Sequence, residues 1–201
     1  MLHKNRYEFA MANIELDENI KIMDMGARDC ILKNYLNRKI NNFTYHGYDL
    51  FDNECIYKAC NLENGSDFIA DNEYDVAFAL DVIEHTNNMH KSLLDIVRVS
   101  KKTIIMLPNM YYWKYRINFL LGKPLNSKYK LSKEKCYGDR HRWVFTLNEA
   151  NNFLQDFCDE NNCILEKTYL KYSTRREYLI SSLIPSDNLS TYNMLYQIKK
   201  K

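Results

Sequence analysis

Acidic side chains and a glycine stand directly after apolar runs that predict strands. Asp24 and Gly26 end the first run, Asp49 ends the second, and Asp81 and His85 follow the fourth. Ligands of open α/β sheets bind at the carboxyl ends of strands, near the point where strand order reverses. A glycine lets the chain turn sharply beside a ligand, and a strand-end carboxylate can accept the hydroxyl protons of a ribose. The pattern predicts a nucleoside-binding cleft.

Each of these side chains also has a simpler interpretation. Asp24 could cap the next turn, and Asp49 could be a surface acid at a strand end. His85 could be a helix-start histidine that bonds a backbone carbonyl. His141, in a later segment, is interpreted as structural, bonding a nearby loop. The order and spacing of the residues, rather than any one of them, favours the shared cleft.

Apolar runs alternate with helical patterns and must form the frame that positions these residues. The runs are apolar throughout, which indicates a sheet covered on both faces, and the intervening helices predict right-handed crossovers. The predicted strands are residues 20–25, 43–49, 56–60, 75–80, 103–107, 163–172 and 178–184. We therefore predict an α/β fold: a Rossmann-like, doubly wound, mainly parallel seven-stranded sheet with helices on both faces.

Three helices are predicted from apolar spacing and capping. The first covers Ile31–Leu36 and the second covers residues 91–100. The apolar face of the second is formed by Leu93, Leu94 and Val97. Thr146 and Glu149 form a capping box that satisfies two amides at the start of the third helix. The buried face of the third is formed by Ala150, Phe153, Leu154, Phe157 and Cys158.

The composition fits one ordinary globular domain over residues 1–201, with 46% hydrophobic and 27% charged residues. The longest apolar runs are far shorter than the roughly 20 residues of a membrane helix. The first residues lack the apolar core of a secretion signal. We expect a cytoplasmic protein.

The cysteines show no metal-binding pattern. No C-x-x-C pair occurs, no histidine stands beside a cysteine at a zinc-ligand spacing, and His85 and His90 do not share a helix face. The six cysteines are Cys30, Cys55, Cys60, Cys136, Cys158 and Cys163. We expect reduced thiols in or near the core and no bound metal.

The net charge of +2 is unevenly distributed. Residues 112–142 contain nine Lys or Arg and two acids, a local charge of +7, so the rest carries −5. This stretch belongs to an insertion, residues 110–142, between the fifth strand and the late helix. It could attract a phosphorylated or acidic partner, or it could be a solvated loop. An apolar stripe at its start predicts either a helical lid or a packed helix and consists of Trp113, Ile117, Leu120 and Leu121.

Several segments resemble the class I S-adenosylmethionine-dependent methyltransferases over residues 20–172. IMDMGARDC is similar to their first motif, YDVAFALDVIEHTNN to their fourth-strand segment, and HRWVFTLNEANNFL to the start of a late helix. NLENGSDF and LPNMYYWKYRINFLLGKPL look closest to the MetW-like branch, which is linked to methionine biosynthesis. The resemblance implies S-adenosylmethionine as cofactor and S-adenosylhomocysteine as product.

The resemblance also implies roles for matching positions. Asp24, Gly26 and Ala27 would line the methionine part of the cofactor. Asp49 would hold the ribose, and the adenine would meet Leu50, Asn61 and Leu62. Ala79 would offer its backbone, Asp81 would sit at the pocket mouth, and Glu84 and His85 would face the substrate. His85 is the candidate general base.

The chain departs from the family pattern at three positions. Arg28 and Cys30 stand where the family usually has glycine, and Asn61 replaces a usual aspartate. Arg28 could crowd the cofactor, pair with its carboxylate or an anionic substrate, or point to solvent. Asn61 still accepts one hydrogen bond and donates two.

Three functions follow from these observations. The first is methyl transfer to a small-molecule acceptor, phosphorylated or acidic in character. The second is a catalytically weak or inactive module that binds a biosynthetic partner protein through its tyrosines and basic insertion. The third, nucleic-acid methylation, is disfavoured because the overall charge is near zero and no base-specific N-P-P-Y motif follows the fourth strand.

Overall fold

The computed structural model describes residues 5–124, 140–171 and 174–201, and its frame is a seven-stranded sheet of order β3-β2-β1-β4-β5-β7-β6. The strands are β1 (Ile20–Met25), β2 (Phe43–Asp49), β3 (Lys58–Ala59), β4 (Tyr74–Leu80), β5 (Ser100–Pro108), β6 (Cys163–Leu170) and β7 (Asn193–Lys200). Strands β1 to β5 are parallel, and β7 is antiparallel to both of its neighbours. The predicted fold class, a Rossmann-like and mainly parallel sheet, is confirmed.

Helices cover both faces of this sheet. They are α1 (Arg6–Asn13), α2 (Ile31–Leu36), α3 (Met89–Val99), α4 (Trp113–Leu120), α5 (Leu147–Glu160), α6 (Arg175–Leu183) and α7 (Asp187–Ser190). One core lies where α3 and α5 cover the sheet and includes Leu93 and Phe157. The other lies under α1 and α2 and includes Phe9 and Leu32. None of the helices described is long and apolar enough to cross a bilayer.

The chain reverses direction across the sheet between β1 and β4. From β1 it proceeds outward through β2 to β3, and then it returns to place β4 on the other side of β1. In the register of these central strands, Met25 lies beside Tyr48 on one side and Ala79 on the other. The loops that follow β1, β2 and β4 therefore open at one edge, where such sheets bind ligands.

The predicted seventh strand was wrong in position. Residues 178–184 were expected as a strand, but residues 178–183 belong to α6 and Ile184 is its C-cap. The helix starts after Thr174, which caps it by accepting a hydrogen bond from the Glu177 amide. The true seventh strand, β7, was missed. It lies between β5 and β6 and is buried from Asn193 to Ile198, so pairing on both edges fixes it as a strand.

The buried face of α3 differs from the prediction at one residue. The helix starts at Met89, because the Asn88 side chain accepts from the Lys91 amide as its cap. This start turns Leu93 into the core with no exposed area, while Leu94 is 41% exposed. The expected burial of Leu94 was therefore wrong. The Thr146–Glu149 capping box and the buried side of α5 are confirmed, with Phe153 partly buried.

Helix α4 forms as the stripe predicts, but it is not a packed helix. None of its residues is buried, and Ile117, Leu120 and Leu121 are exposed. The helix is held at its first turn, where the Trp113 indole donates to Ser181 Oγ of α6 at 3.0 Å. Residues 125–139, the middle of the basic insertion, lie outside the described residues.

The expectation of reduced cysteines was wrong for one pair. A disulfide joins Cys30 at the start of α2 to Cys55 in the loop after β2, with their Cα atoms 6.2 Å apart. Neighbouring parallel strands bring their following loops into range of such a bond, which the sequence spacing does not show. Cys60, Cys158 and Cys163 are free and buried as expected, and Cys136 lies outside the described residues.

Adjacent leucines of α3 test the described helix register. Leu93→Ala should lower the free energy of unfolding by about 2–5 kcal/mol, because it opens a cavity in the core. Leu94→Ala should change it by only about 0.5 kcal/mol, as surface substitutions do. Urea denaturation followed by circular dichroism measures both, and equal losses would contradict this register.

Candidate functional site

The loop after β1 meets the end of β2 through backbone hydrogen bonds. The amides of Gly26 and Ala27 both donate to the Tyr48 carbonyl, at 2.7 and 3.0 Å. The Arg28 amide donates to Asp49 Oδ2 at 2.9 Å. The glycine turn and the strand-end carboxylate thus lie side by side, as the sequence predicts.

Three alternate residues of the β1 loop adopt left-handed backbone. The φ angles are +75° at Gly26, +50° at Arg28 and +51° at Cys30. Arg28 and Cys30 therefore keep the conformation that glycine usually supplies, at a cost of about 1–2 kcal/mol each. The Arg28 side chain is exposed.

The loop after β4 approaches the same turn closely. A Cβ added at Gly26 would lie 2.5 Å from Val82 Cγ2. Position 26 therefore requires glycine for two reasons: its φ angle is positive, and the Val82 side chain leaves no room for a Cβ atom. This contact places the β4 loop against the β1 loop at the centre of the sheet.

Asp24 is buried beneath this turn. Its Oδ2 accepts a hydrogen bond from Tyr45 Oη at 2.6 Å. The side chain therefore bonds to β2 and does not cap the turn that follows β1. Burial raises the pKa of Asp24 to about 7, against the opposing effects of the Tyr45 hydrogen bond and the Arg6 charge. The carboxyl therefore changes its protonation state near neutral pH.

Arg6 enters the cleft from α1 and was missed by the sequence analysis. Its Nη1 forms an ion pair with Asp81 Oδ2 at 2.7 Å, and its Nη2 donates to Tyr7 Oη at 2.8 Å. Arg6 and Asp81 are far apart in the sequence, so local patterns carry no signal of their contact. The N-terminal helix thereby supplies a cation to the carboxyl end of β4.

Asp81 occupies a constrained position directly after β4. Its φ is +59°, and its amide donates to the Met106 carbonyl at 3.0 Å. Its Oδ2 binds Arg6, whereas its Oδ1 is buried without a hydrogen-bond partner among the described residues. A carboxylate oxygen in this state is suited to a donor group of a ligand.

The residues assigned to the adenine, Leu50, Asn61 and Leu62, follow β2 and β3 on one flank of the sheet, whereas Ala79, assigned to offer its backbone, lies in the central strand β4. Leu50, next to Asp49, is exposed. Asn61 begins a short 3-10 turn, and its side-chain oxygen accepts from the Glu63 amide. The Leu62 side chain packs into the core, and Ala79 is fully buried in β4.

His85 lies with a second group of side chains. Glu84 and His85 form a 3-10 turn after β4, and Glu84 Oε1 is 3.9 Å from His85 Nε2. His141 contributes its Nε2 at 3.8 Å from the same oxygen. The sequence placed the first two residues on the substrate side and interpreted His141 as bonding a nearby loop.

The segment carrying His141 is anchored on the turn after β4. The Arg142 amide donates to the Glu84 carbonyl, and its guanidinium donates to the His85 carbonyl, both at 3.0 Å. The Trp143 indole donates to the Thr86 carbonyl at 2.8 Å. These bonds hold two sequence-distant segments together.

A cavity of about 450 Å³ lies beyond this segment, between the starts of α3 and α5. Apolar groups dominate its wall, among them Met89, Leu107, Phe145 and Phe153. Its lining shares no residue with the predicted cofactor set. We therefore distinguish it from the cleft between β1 and β4.

Gly26→Ala should destabilise the protein by about 1–3 kcal/mol more than Gly122→Ala. Both glycines have positive φ, but a Cβ at Gly122 would meet nothing within 4 Å. The difference isolates the contact with Val82, and it should shrink in a Val82→Ala background. Chemical denaturation measures it; equal effects at both glycines would refute the close approach.

Asp24→Asn should flatten the dependence of stability on pH. The folded chain holds a proton on Asp24 that the unfolded chain releases near its ordinary value of 3.8, so stability should fall as pH rises from about 4 to about 7. Asparagine does not titrate, so the variant should not lose stability over this pH range. Asp52→Asn, at an exposed aspartate, serves as the control. Urea midpoints at pH 5 and pH 8 test it, and an unchanged slope would contradict the raised pKa.

Solved structures share this fold at low sequence identity. The small RNA methyltransferase HEN1 is 15% identical with a TM-score of 0.66, over 98% of this chain and 25% of that one. A SAM-dependent methyltransferase from Archaeoglobus fulgidus is 12% identical with a TM-score of 0.63, over 96% and 94%. A structure of the complex between the Trm112 methyltransferase activator of Haloferax volcanii and a methyltransferase matches with 13% sequence identity and a TM-score of 0.60. This match covers 96% of this chain and 87% of that one.

The chain spans a quarter of the length of the HEN1 chain and most of the other two. Such likeness shows the class I S-adenosylmethionine-dependent methyltransferase fold. No curated protein sequence matches the chain. The family model described as methionine biosynthesis protein MetW matches residues 6–198, nearly the whole chain. The chain therefore belongs to the MetW family.

Proposed function

We propose that this protein transfers a methyl group from S-adenosylmethionine to a small-molecule acceptor of phosphorylated or acidic character. The observation that carries the proposal is the contact of the glycine turn with Asp49 at the reversal point of a methyltransferase-type sheet. Both parts of a nucleoside site are thus adjacent. The family membership and the shared fold support the same activity.

Asp49 fits the role of ribose ligand. Its Oδ2 accepts the Arg28 amide at 2.9 Å, and its Oδ1 accepts the Phe51 amide at 3.3 Å. A carboxylate has about four lone-pair sites, so two hydroxyl protons can still be accepted. The exposed Leu50 would then cover the adenine, and the Asn61 amide group would donate to its edge.

The opposite end of the cleft fits the methionine part of the cofactor. Gly26 and Ala27 would line this end of the cleft, held in place by the hydrogen bonds of their amides to the Tyr48 carbonyl. The buried Asp81 Oδ1 can accept from the ammonium group, and Arg6 supplies the positive charge for the carboxylate. Asp24 lies below this end of the cleft, and the net charge there depends on pH because the pKa of Asp24 is about 7.

The chain's contribution to the reaction is positioning. The bound sulfonium is already a reactive methyl donor and carries the chemistry. Fixed placement of donor and acceptor can supply roughly 7–11 kcal/mol of the barrier. A base is needed only where the acceptor keeps a proton, and His85, 3.9 Å from the Glu84 carboxylate, is the residue proposed for it.

A second candidate function is a catalytically weak partner-binding module. Exposed apolar side chains on the neighbouring helices α4 and α6 favour it, among them Phe119, Leu120, Leu179 and Leu183. Clustered apolar exposure of this kind marks interaction surfaces. Non-glycine residues in the left-handed β1 loop would in this case weaken cofactor binding.

Asp49→Ala should weaken the binding of S-adenosylhomocysteine at least tenfold, because charge-assisted hydrogen bonds contribute about 1.5–3 kcal/mol each. Asp52→Ala, an exposed carboxylate in the same loop, should leave the affinity unchanged. Isothermal titration calorimetry measures both, with circular dichroism to verify folding. Unchanged affinity in Asp49→Ala would disprove the ribose assignment, and no binding by the wild type would favour the partner-binding module.

A further inference from the structure

Three potential metal ligands converge beside the cofactor cleft. Glu84, His85 and His141 each offer one ligand atom, and these atoms lie within 4.8 Å of one another. Glu84 Oε1 lies 3.9 Å from one Nε2 and 3.8 Å from the other. Both distances exceed that of a hydrogen bond. The three groups therefore lie close enough together to approach one ion.

The three side chains are shielded from solvent. The Glu84 side chain has no exposed area, and the side chains of His85 and His141 are only 15% and 6% exposed. Low exposure strengthens the attraction between a carboxylate and a cation that lies beside it, because the surrounding medium screens the charges less than water does. The imidazole rings lie nearly perpendicular, at 85°, with centroids 4.7 Å apart. Two nitrogens thus face one carboxylate from different directions.

The backbone around the group is held in place. Glu84 and His85 sit in a rigid 3-10 turn at the carboxyl end of β4, and the Arg142 and Trp143 hydrogen bonds fix the His141 segment to that turn. Metal ligands need such support, because a precise site cannot be assembled from mobile segments. The group is therefore preorganised across two parts of the chain.

We propose that Glu84, His85 and His141 bind one divalent first-row transition metal ion of the zinc or ferrous type. Two imidazoles and one carboxylate match the preference of these ions, whereas Mg²⁺ and Ca²⁺ prefer oxygen alone. Tetrahedral ligands about 2.1 Å from an ion lie roughly 3.4 Å apart. The two glutamate–histidine pairs, at 3.9 and 3.8 Å, need to close by about half an ångström to reach that geometry. The group as a whole, within 4.8 Å, needs to close by at most about 1.4 Å.

Three protein ligands leave a coordination position open for water or an acceptor oxygen. Where the proposed methyl transfer holds and the acceptor carries a hydroxyl group, the ion would bind that oxygen and lower its pKa, so that its proton could pass to water before the oxygen takes the methyl group. His85 would then act as a ligand instead of a general base. The sequence predicts no metal, because it contains no C-x-x-C pair and because His85 and His90 do not share a helix face. In this proposal the second imidazole comes from His141 instead.

Cobalt binding tests the proposal without any cofactor. Untagged protein stripped with a chelator should take up one equivalent of Co²⁺ and show its visible d–d absorption, and Zn²⁺ should displace it. Glu84→Gln and His141→Ala should each weaken uptake at least tenfold. His90→Ala, an exposed histidine of α3 outside the group, should bind as the wild type does.

Three results would overturn the proposal. They are no stoichiometric uptake by the wild type, undiminished uptake by both ligand variants, and a thiolate charge-transfer band that shows binding at cysteine. Glu84→Gln preserves shape, so it keeps the test valid where His141→Ala fails to fold. Calorimetry with S-adenosylhomocysteine separates the two proposals: metal uptake without nucleoside binding would retain the ion site and reject the cofactor site.

Discussion

The contact between the Gly26 turn and the loop after β4 is the constraint on which the candidate site depends. A side chain at position 26 would begin with a Cβ only 2.5 Å from Val82 Cγ2, so only glycine fits there. The same turn donates two amides to the Tyr48 carbonyl of β2. One glycine therefore brings together the loops that follow three strands, β1, β2 and β4.

The cleft also contains a partly buried group of charged side chains. Asp24, Arg6 and Asp81 are brought together by a helix before the sheet and by two of its central strands. Arg6 compensates both carboxyls, and Tyr45 adds a hydrogen bond to one of them. The result is a group of paired charges at the edge of an apolar sheet, held in fixed positions that would orient a charged ligand better than a flexible surface does.

The far side of the β4 loop is organised by a different segment. Residues 140–143 form hydrogen bonds with the turn at Glu84 and His85. His141 therefore lies beside these two residues, although it is far from them in the sequence. Binding at that group and binding in the cleft would share the loop between Asp81 and His85. This arrangement gives the two proposed sites a direct structural connection.

The sequence alone determined the elements whose signals are local. Strands β1 and β2, helix α2 and the Thr146 capping box follow from apolar runs and turn chemistry, and the glycine turn with Asp49 follows from strand order. Tertiary structure decided the Arg6–Asp81 ion pair, the place of His141, the Cys30–Cys55 disulfide and the identity of β7. The physical reason is that periodicity and capping act within a few residues, whereas these features join segments that only the sheet's crossovers bring into contact.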